Sequence, residues 1–291
     1  MTTTHTTPNT KGGAQDAPFE PLSDVGAQLG ESPVWSSHDQ AIWWVDILGC
    51  KLLRTRLSGR TDCWGTPEMP GFVECLGPQI IVGMQTGIFQ FDPDTATFDR
   101  IVALDTPGQR FNDACQDARG RIWAGTMDIE NRRDTGVLYL FDPVRRTLSA
   151  KLSGFHTVNG LAWDDTRTRL FVSDSHPSVQ MVWTFQVDPD DTLQDKAVFA
   201  PFFDLKGRPD GAMLDGEGNY WIAGVSGGTL YRFSPEGDWL TRYPVPVKSP
   251  TKPALIGARN PVMVLTSFED DHNKGRLSIW RAPLPDRHAD P

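Results

Sequence analysis

Four oxygen-bearing side chains recur at one point of a repeating pattern: Glu31 in LGESPVW, Asn112 in FNDACQD, Asn159 in VNGLAWD and Asp210 in PDGAMLD. Each stands 11 or 12 residues ahead of an aromatic in a β-prone run, namely Trp43, Trp123, Phe171 and Trp221. Carboxylate and amide oxygens are hard ligands, suited to Ca²⁺, Mg²⁺ or Mn²⁺ rather than to soft metals. Two carboxylates and two amides are costly to gather in a confined space unless something compensates them. Glu31 and Asp210 carry two negative charges, which match one divalent cation. Any one of these residues alone reads most simply as a turn cap, since Asn, Asp and Gly are common in turns. Four at one repeat phase read as a site.

The elements that must position them are short strands. IWWVDI, QIIVGM, RIWAGTM, RLFVSD, YWIAGV and VMVLTS resemble one another, and each is followed by a second β-prone run such as GIFQFD or GVLYLFD. Asp-Pro and Pro-Glu-Gly turns separate them, and no window carries a helical period. Units start near residues 31, 72, 112, 159, 210 and 252, a period of 40–51 residues. Four short strands per unit at this period define a propeller, so an all-β, six-bladed β-propeller with four-stranded blades is expected. It should occupy residues 19–285 as one domain, with 1–18 as a disordered N-terminal tail and 286–291 as a C-terminal tail. Equivalent positions on the innermost strands then face one another across the central channel.

Charge and composition exclude several classes. The 291 residues hold 28 Lys+Arg against 37 Asp+Glu, a net charge of −9, and the pI is near 5.1. Such a balance disfavours nucleic-acid binding and docking on anionic lipid. No run approaches the ~18 apolar residues that a membrane span needs. The N-terminus lacks the apolar core of a secretory signal. Cys50, Cys63, Cys75 and Cys115 form no CxxC, so reduced thiols and a cytoplasmic location are expected. Cys115 reads as a small buried hydrophobe rather than a nucleophile. No apolar surface stripe is evident, so a monomer is expected.

LGESPVW, RFNDACQDARGRIWAGTM, VNGLAW, VSDS and RPDGAMLDGEGNYW resemble the SMP-30/gluconolactonase/luciferin-regenerating enzyme family across roughly residues 20–285. The resemblance implies a six-bladed lactonase that uses one divalent metal (Ca, Zn, Mn or Mg) to hydrolyse a sugar-acid lactone, a small-molecule substrate of carbohydrate catabolism. It implies Glu31, Asn159 and Asp210 as metal ligands, with Asp210 also the proton acceptor and donor. Arg110, Asn112 and Glu130 are implied as substrate contacts, and Asp174 and Ser175 as lining residues of unassigned role. It further implies ring closure by an N-terminal strand from FEPLSDV, residues 19–25, added to the last blade.

The chain departs from the family at two places. Ser32 follows the glutamate where many members have glycine, and the loop DIENRRDTG around Glu130 differs. Arg132 and Arg133 in that loop read as solvated arginines or as contacts for an extra substrate carboxylate. Lys252 of TKPALIG lies near the channel, where a substrate-facing role is open to it. Gly224–Gly228 matches G-x-S-x-G but falls between two strands, where a β-turn is expected instead of a nucleophile elbow. Asp164-Asp165, Asp190-Asp191 and Asp270-Asp271 are expected in solvated hairpin turns, and His272 in a loop. Two other functions fit the same scaffold: a phosphotriesterase similar to the diisopropylfluorophosphatase group, or a non-enzymatic platform with a fully ligated structural ion.

Overall fold

Apolar residues alternating between tight turns favour short antiparallel strands. In the computed structural model of the chain, which describes residues 18–23, 25–257, 261–270 and 274–281, twenty-four strands form six four-stranded sheets. After β1 (Glu20–Pro21), the first blade holds β2 (Gly30–Ser36), β3 (Ala41–Asp46), β4 (Lys51–Arg56) and β5 (Thr61–Gly65). The second holds β6 (Phe72–Leu76), β7 (Gln79–Gly83), β8 (Gly87–Asp92) and β9 (Thr97–Ala103). The third holds β10 (Gln109–Gln116), β11 (Ile122–Asp128), β12 (Gly136–Asp142) and β13 (Thr147–Phe155). The fourth holds β14 (Val158–Asp164), β15 (Arg169–Asp174), β16 (Met181–Val187) and β17 (Leu193–Pro201). The fifth holds β18 (Arg208–Leu214), β19 (Tyr220–Val225), β20 (Thr229–Phe233) and β21 (Trp239–Pro244). The sixth holds β22 (Pro250–Ile256), β23 (Val262–Ser267) and β24 (Leu277–Trp280). This is the six-bladed propeller anticipated above.

The sixth blade is completed by β1, which pairs antiparallel to β24 through Glu20↔Ile279 and Pro21↔Ser278. The N-terminal segment therefore closes the ring, but over two residues rather than all of 19–25. Beyond them the chain continues through Leu22 N to Leu277 O at 3.0 Å and isolated bridges at Ala27 and Leu29. The tails expected at 1–18 and 286–291 lie outside the described residues but for Pro18, as do Asp271 and His272.

The core is six clusters, each wedged between two neighbouring blades. Trp43 and Val45 meet Val82 and Phe91, and Phe72 stacks edge-on with Phe111 at 5.5 Å. The last cluster joins Ile42 and Trp44 of the first blade to Val264 and Ile279 of the sixth. Hydrophobic burial is thus spread around the ring, and the inner strands are free to carry polar side chains into the channel.

Two expectations about turns divide. Ser226 sits in the β19–β20 turn, where Gly227 N donates to Gly224 O at 3.0 Å, as a β-turn requires. Asp164, expected to be solvated, is instead buried; it accepts from Thr166 Oγ1 at 2.6 Å and from Arg169 Nη2 at 3.1 Å. Asp191 pairs with Arg121 at 2.6 Å. Arg169 at the first hairpin and Arg121 on the third blade take Asp164 and Asp191 out of solvent, while Asp165 and Asp190 stay exposed as expected. All four cysteines are free thiols, and burial pushes the Cys115 thiol well up, as expected of an inert one.

Candidate active site

The inner strands break register where the polar residues stand. Against their partner strands, β2 shifts between Glu31 and Val34, β10 between Phe111 and Asp113, β14 between Asn159 and Ala162, and β18 between Pro209 and Ala212. A bulge bends the strand and re-aims a side chain that simple alternation would send elsewhere. Gly160, directly after Asn159, has φ +58, and a Cβ there would stand 2.6 Å from Ser173 Oγ. Ser32, directly after Glu31, holds the same left-handed conformation at φ +50. That explains why glycine suits this position and why serine is a departure. Its hydroxyl compensates by accepting from Val73 N at 3.0 Å and donating to Val73 O at 3.2 Å, which ties the first blade to the second.

The bulges bring Glu31, Arg110, Asn112, Asn159 and Asp210 together on one cleft of about 180 Å³ at the channel mouth. Asn159 Nδ2 donates to Asp210 Oδ1, and to Ser175 Oγ at 3.3 Å. Glu31 Oε2 accepts from Ser32 N at 2.7 Å. Arg110 Nη1 donates to Asn112 Oδ1 at 2.8 Å and to Phe111 O at 2.9 Å, while Asn112 Nδ2 donates to Val158 O at 3.0 Å. Arg110 and Asn112 are thus fixed against the strand before any ligand arrives.

The electrostatics favour a cation. Burial, then the neighbouring Asp210 and Asp113, hold the Glu31 carboxyl well above the usual carboxylate range. Burial pushes Asp210 up to about 7, against the opposing pull of Arg208 and of the hydrogen bonds from Asn159 and Gly211. Two buried carboxylates at one point resist ionising together, and a divalent cation removes that conflict. Burial lowers Arg110 to about 10, while Glu31 and Asp210 help it keep its proton.

Among the described residues, no group of three His, Cys, Asp or Glu side chains is spaced to hold a metal. The donor set here is two carboxylates and an amide, which suits a hard, oxygen-seeking ion. Asn159 presents its nitrogen to Asp210; a half-turn of the amide exchanges Nδ2 and Oδ1 within the same outline. Glu31, Asn159 and Asp210 therefore fit one hard divalent ion.

Beneath the cleft Lys252 belongs to a buried ionic layer whose acidic member, Asp113, the sequence did not single out. Lys252 Nζ stands 2.6 Å from Asp113 Oδ1 and donates to Ala114 O at 2.7 Å. Asp113 Oδ2 accepts from Leu161 N at 2.8 Å, so one carboxylate joins blades three, four and six. Burial works against the Lys252 charge, but Asp113, Glu74 and Glu31 outweigh it and raise the ammonium above its ordinary range. Glu74, also buried, is pushed up to about 7 by desolvation. Asp113 lies in FNDACQD beside the amide that drew attention, and only the bulge separates their directions.

The remaining sequence candidates divide. Ser175 lines the cleft. Asp174 acts through the backbone, accepting from His156 N at 2.8 Å, Thr157 N at 3.1 Å and His176 N at 3.0 Å, and so fixes the loops beside Asn159. Glu130 is not brought to the cleft: its side chain is 63% exposed and pairs with Arg132. Its neighbour Asn131 lines the cleft instead and accepts from Thr157 Oγ1 at 2.6 Å. Arg133 pairs with Asp128 at 2.7 Å, so neither loop arginine faces the cleft. Among the described residues, the arginine that does, besides Arg110, is Arg208 in RPDGAMLD.

Residues 29–269 match the family model described as the SMP-30/Gluconolactonase/LRE-like region. A 6-deoxy-6-sulfogluconolactonase from Pseudomonas putida is 31% identical over 259 residues, covering 87% of each chain. An L-arabinolactonase from Azospirillum brasilense is 28% identical, over 81% of this chain and 80% of that one. A calcium-binding regucalcin from Agrobacterium tumefaciens superposes with a TM-score of 0.86 at 24% identity, over 93% of this chain and 95% of the other. A gluconolactonase from Xanthomonas campestris superposes at 0.75 with 22% identity, over 92% and 90%. At these identities the two superpositions establish the fold.

Proposed function

The chain belongs to the SMP-30/gluconolactonase/LRE-like family, and we propose that it hydrolyses the lactone of a sugar acid to the open-chain acid, with a divalent ion held by Glu31, Asn159 and Asp210. The observation that carries this reading is the convergence of those three residues with Arg110 and Asn112 on one cleft. When bound, the ion would supply Lewis-acid polarisation of the lactone carbonyl. The chain's own groups perform the rest. Asp210, on the cleft wall, is placed to take a proton from water as the water oxygen bonds to the carbonyl carbon, and to return it to the ring oxygen as the ester C–O bond breaks. Arg110 and Asn112, pre-fixed against each other, orient substrate hydroxyls without a further ordering cost.

Three protein ligands opening on a cleft suit turnover, whereas a platform with a structural ion calls for a closed ligand set. The test is proton release, read with a pH indicator, on gluconolactone, xylonolactone, arabinonolactone, galactonolactone and the aldarolactones. Saturable release with at least one lactone is expected; release with none, while metal remains bound, would overturn the reading.

A further inference from the structure

Among the described residues, four charged side chains line the cleft, and three of them (Glu31, Arg110 and Asp210) are buried and committed to neighbours. Arg208 differs. It is half-buried, and among the described residues its one side-chain hydrogen bond is long, Nη1 to Ser175 O at 3.5 Å. No carboxylate among the described residues lies within ion-pair distance of it, although the field of its charge reaches Asp210. The other arginines beside the mouth, Arg132 and Arg133, are occupied by Glu130 and Asp128. A guanidinium has five N–H donors in a fork that matches a carboxylate or sulfonate, so most of Arg208's donors are available to a ligand.

We propose that Arg208 makes this cleft selective for lactones bearing a second anionic group, a carboxylate or sulfonate, remote from the ring ester. The inference rests on the lactonase reading above. Charge complementarity supports it. Glu31 and Asp210 face Arg110 and Arg208 across the cleft. Once the two carboxylates serve a divalent ion, both guanidinium charges remain to be matched. An anionic group on the substrate, remote from the ester, offers a counter-charge that the free fork of Arg208 can take. In a partly desolvated cleft such a pairing is stronger than at an open surface.

A competing role for Arg208 is to keep Asp210 ionised, which would affect every lactone alike. The discriminating quantity is therefore a ratio. We would measure kcat/KM on the full-length metal-loaded protein for gluconolactone, for glucarolactone and for a 6-sulfonate analogue. Equilibrium titration with the corresponding open-chain acids provides a readout independent of turnover. Wild type is expected to prefer an anionic lactone. Arg208→Gln should lower the anionic-to-neutral ratio by about ten- to a hundredfold, the size of one charge-assisted hydrogen bond. Arg208→Lys should recover part of the ratio, and rising salt should erode it in wild type, a control that needs no variant. Carboxylate and sulfonate arms show which anion the fork prefers. Absence of anionic preference in wild type, or an equal fall for all lactones in Arg208→Gln, would overturn the proposal. If no lactone is turned over, the parent reading fails, and the product titrations still decide whether Arg208 selects a second anion.

Discussion

Lys252 on the sixth blade and Asp113 on the third meet beneath the cleft, Nζ to Oδ1 at 2.6 Å, although they lie 139 residues apart in the chain. Both side chains are buried, at 9% and 2% exposure. Removing one member of such a pair leaves an uncompensated buried charge. Lys252→Met should therefore cost about 3–5 kcal/mol of stability, read as a lower urea midpoint. The Lys252→Met, Asp113→Asn double variant should recover part of the loss; simple additivity would contradict the coupling. Because the ammonium's folded value is raised, the pair's contribution is fully present below the unfolded value of about 10.4 and is lost only as pH rises through the higher folded one.

Ser32 holds a left-handed φ of +50 and secures it through two hydrogen bonds to Val73. Ser32→Ala keeps the strain and loses both bonds, so a loss of about 1–3 kcal/mol is expected. Ser32→Gly relieves the strain and should fall between alanine and wild type. Urea denaturation of the three proteins checks the order.

Asp210 is placed to move the proton. Asp210→Asn keeps the amide–carboxamide contact with Asn159 feasible and removes the base, so turnover should fall by about 10²–10⁴-fold while the fold persists. Near-wild-type rates in a correctly folded variant would remove Asp210 from the mechanism.

Glu31 and Asp210 both have raised folded values, the reverse of the usual carboxylate case. The metal-free fold then binds more protons than the unfolded chain, so its stability should decline as pH rises from about 4 toward about 7. A bound cation favours the ionised carboxylates and offsets that decline. Addition of Ca²⁺ or Mn²⁺ should therefore raise Tm more at pH 8 than at pH 5. A metal-induced shift that is equal at both pH values would contradict the assignment.

Much of this was legible in the residues. Glu31, Asn159 and Asp210 recur at one repeat phase because equivalent inner strands impose equivalent positions. The six units were visible because interblade packing demands the same apolar pattern six times. What was not legible depends on relations that spacing does not encode. Glu130 and Asn131 exchange places because the register of an irregular loop is set by its own turn, here the left-handed Asn131 at φ +52. Asp113 was hidden because a bulge after Phe111 decides which of two neighbours faces the cleft and which faces Lys252. Arg208 lay in a recognised segment, yet its exposure and sparse hydrogen bonding emerge only from the folded surroundings.

The most direct test joins the fold, the donor set and the chemistry in one assay. Lactone hydrolysis would be followed by proton release after exhaustive chelation and again after resupply of Ca²⁺, Mg²⁺, Mn²⁺ or Zn²⁺, in wild type and in Glu31→Gln. The account predicts negligible turnover after chelation, restoration by at least one ion in wild type, and weak or absent restoration in Glu31→Gln. Full turnover by the chelated protein, or equal restoration in the variant, would contradict it.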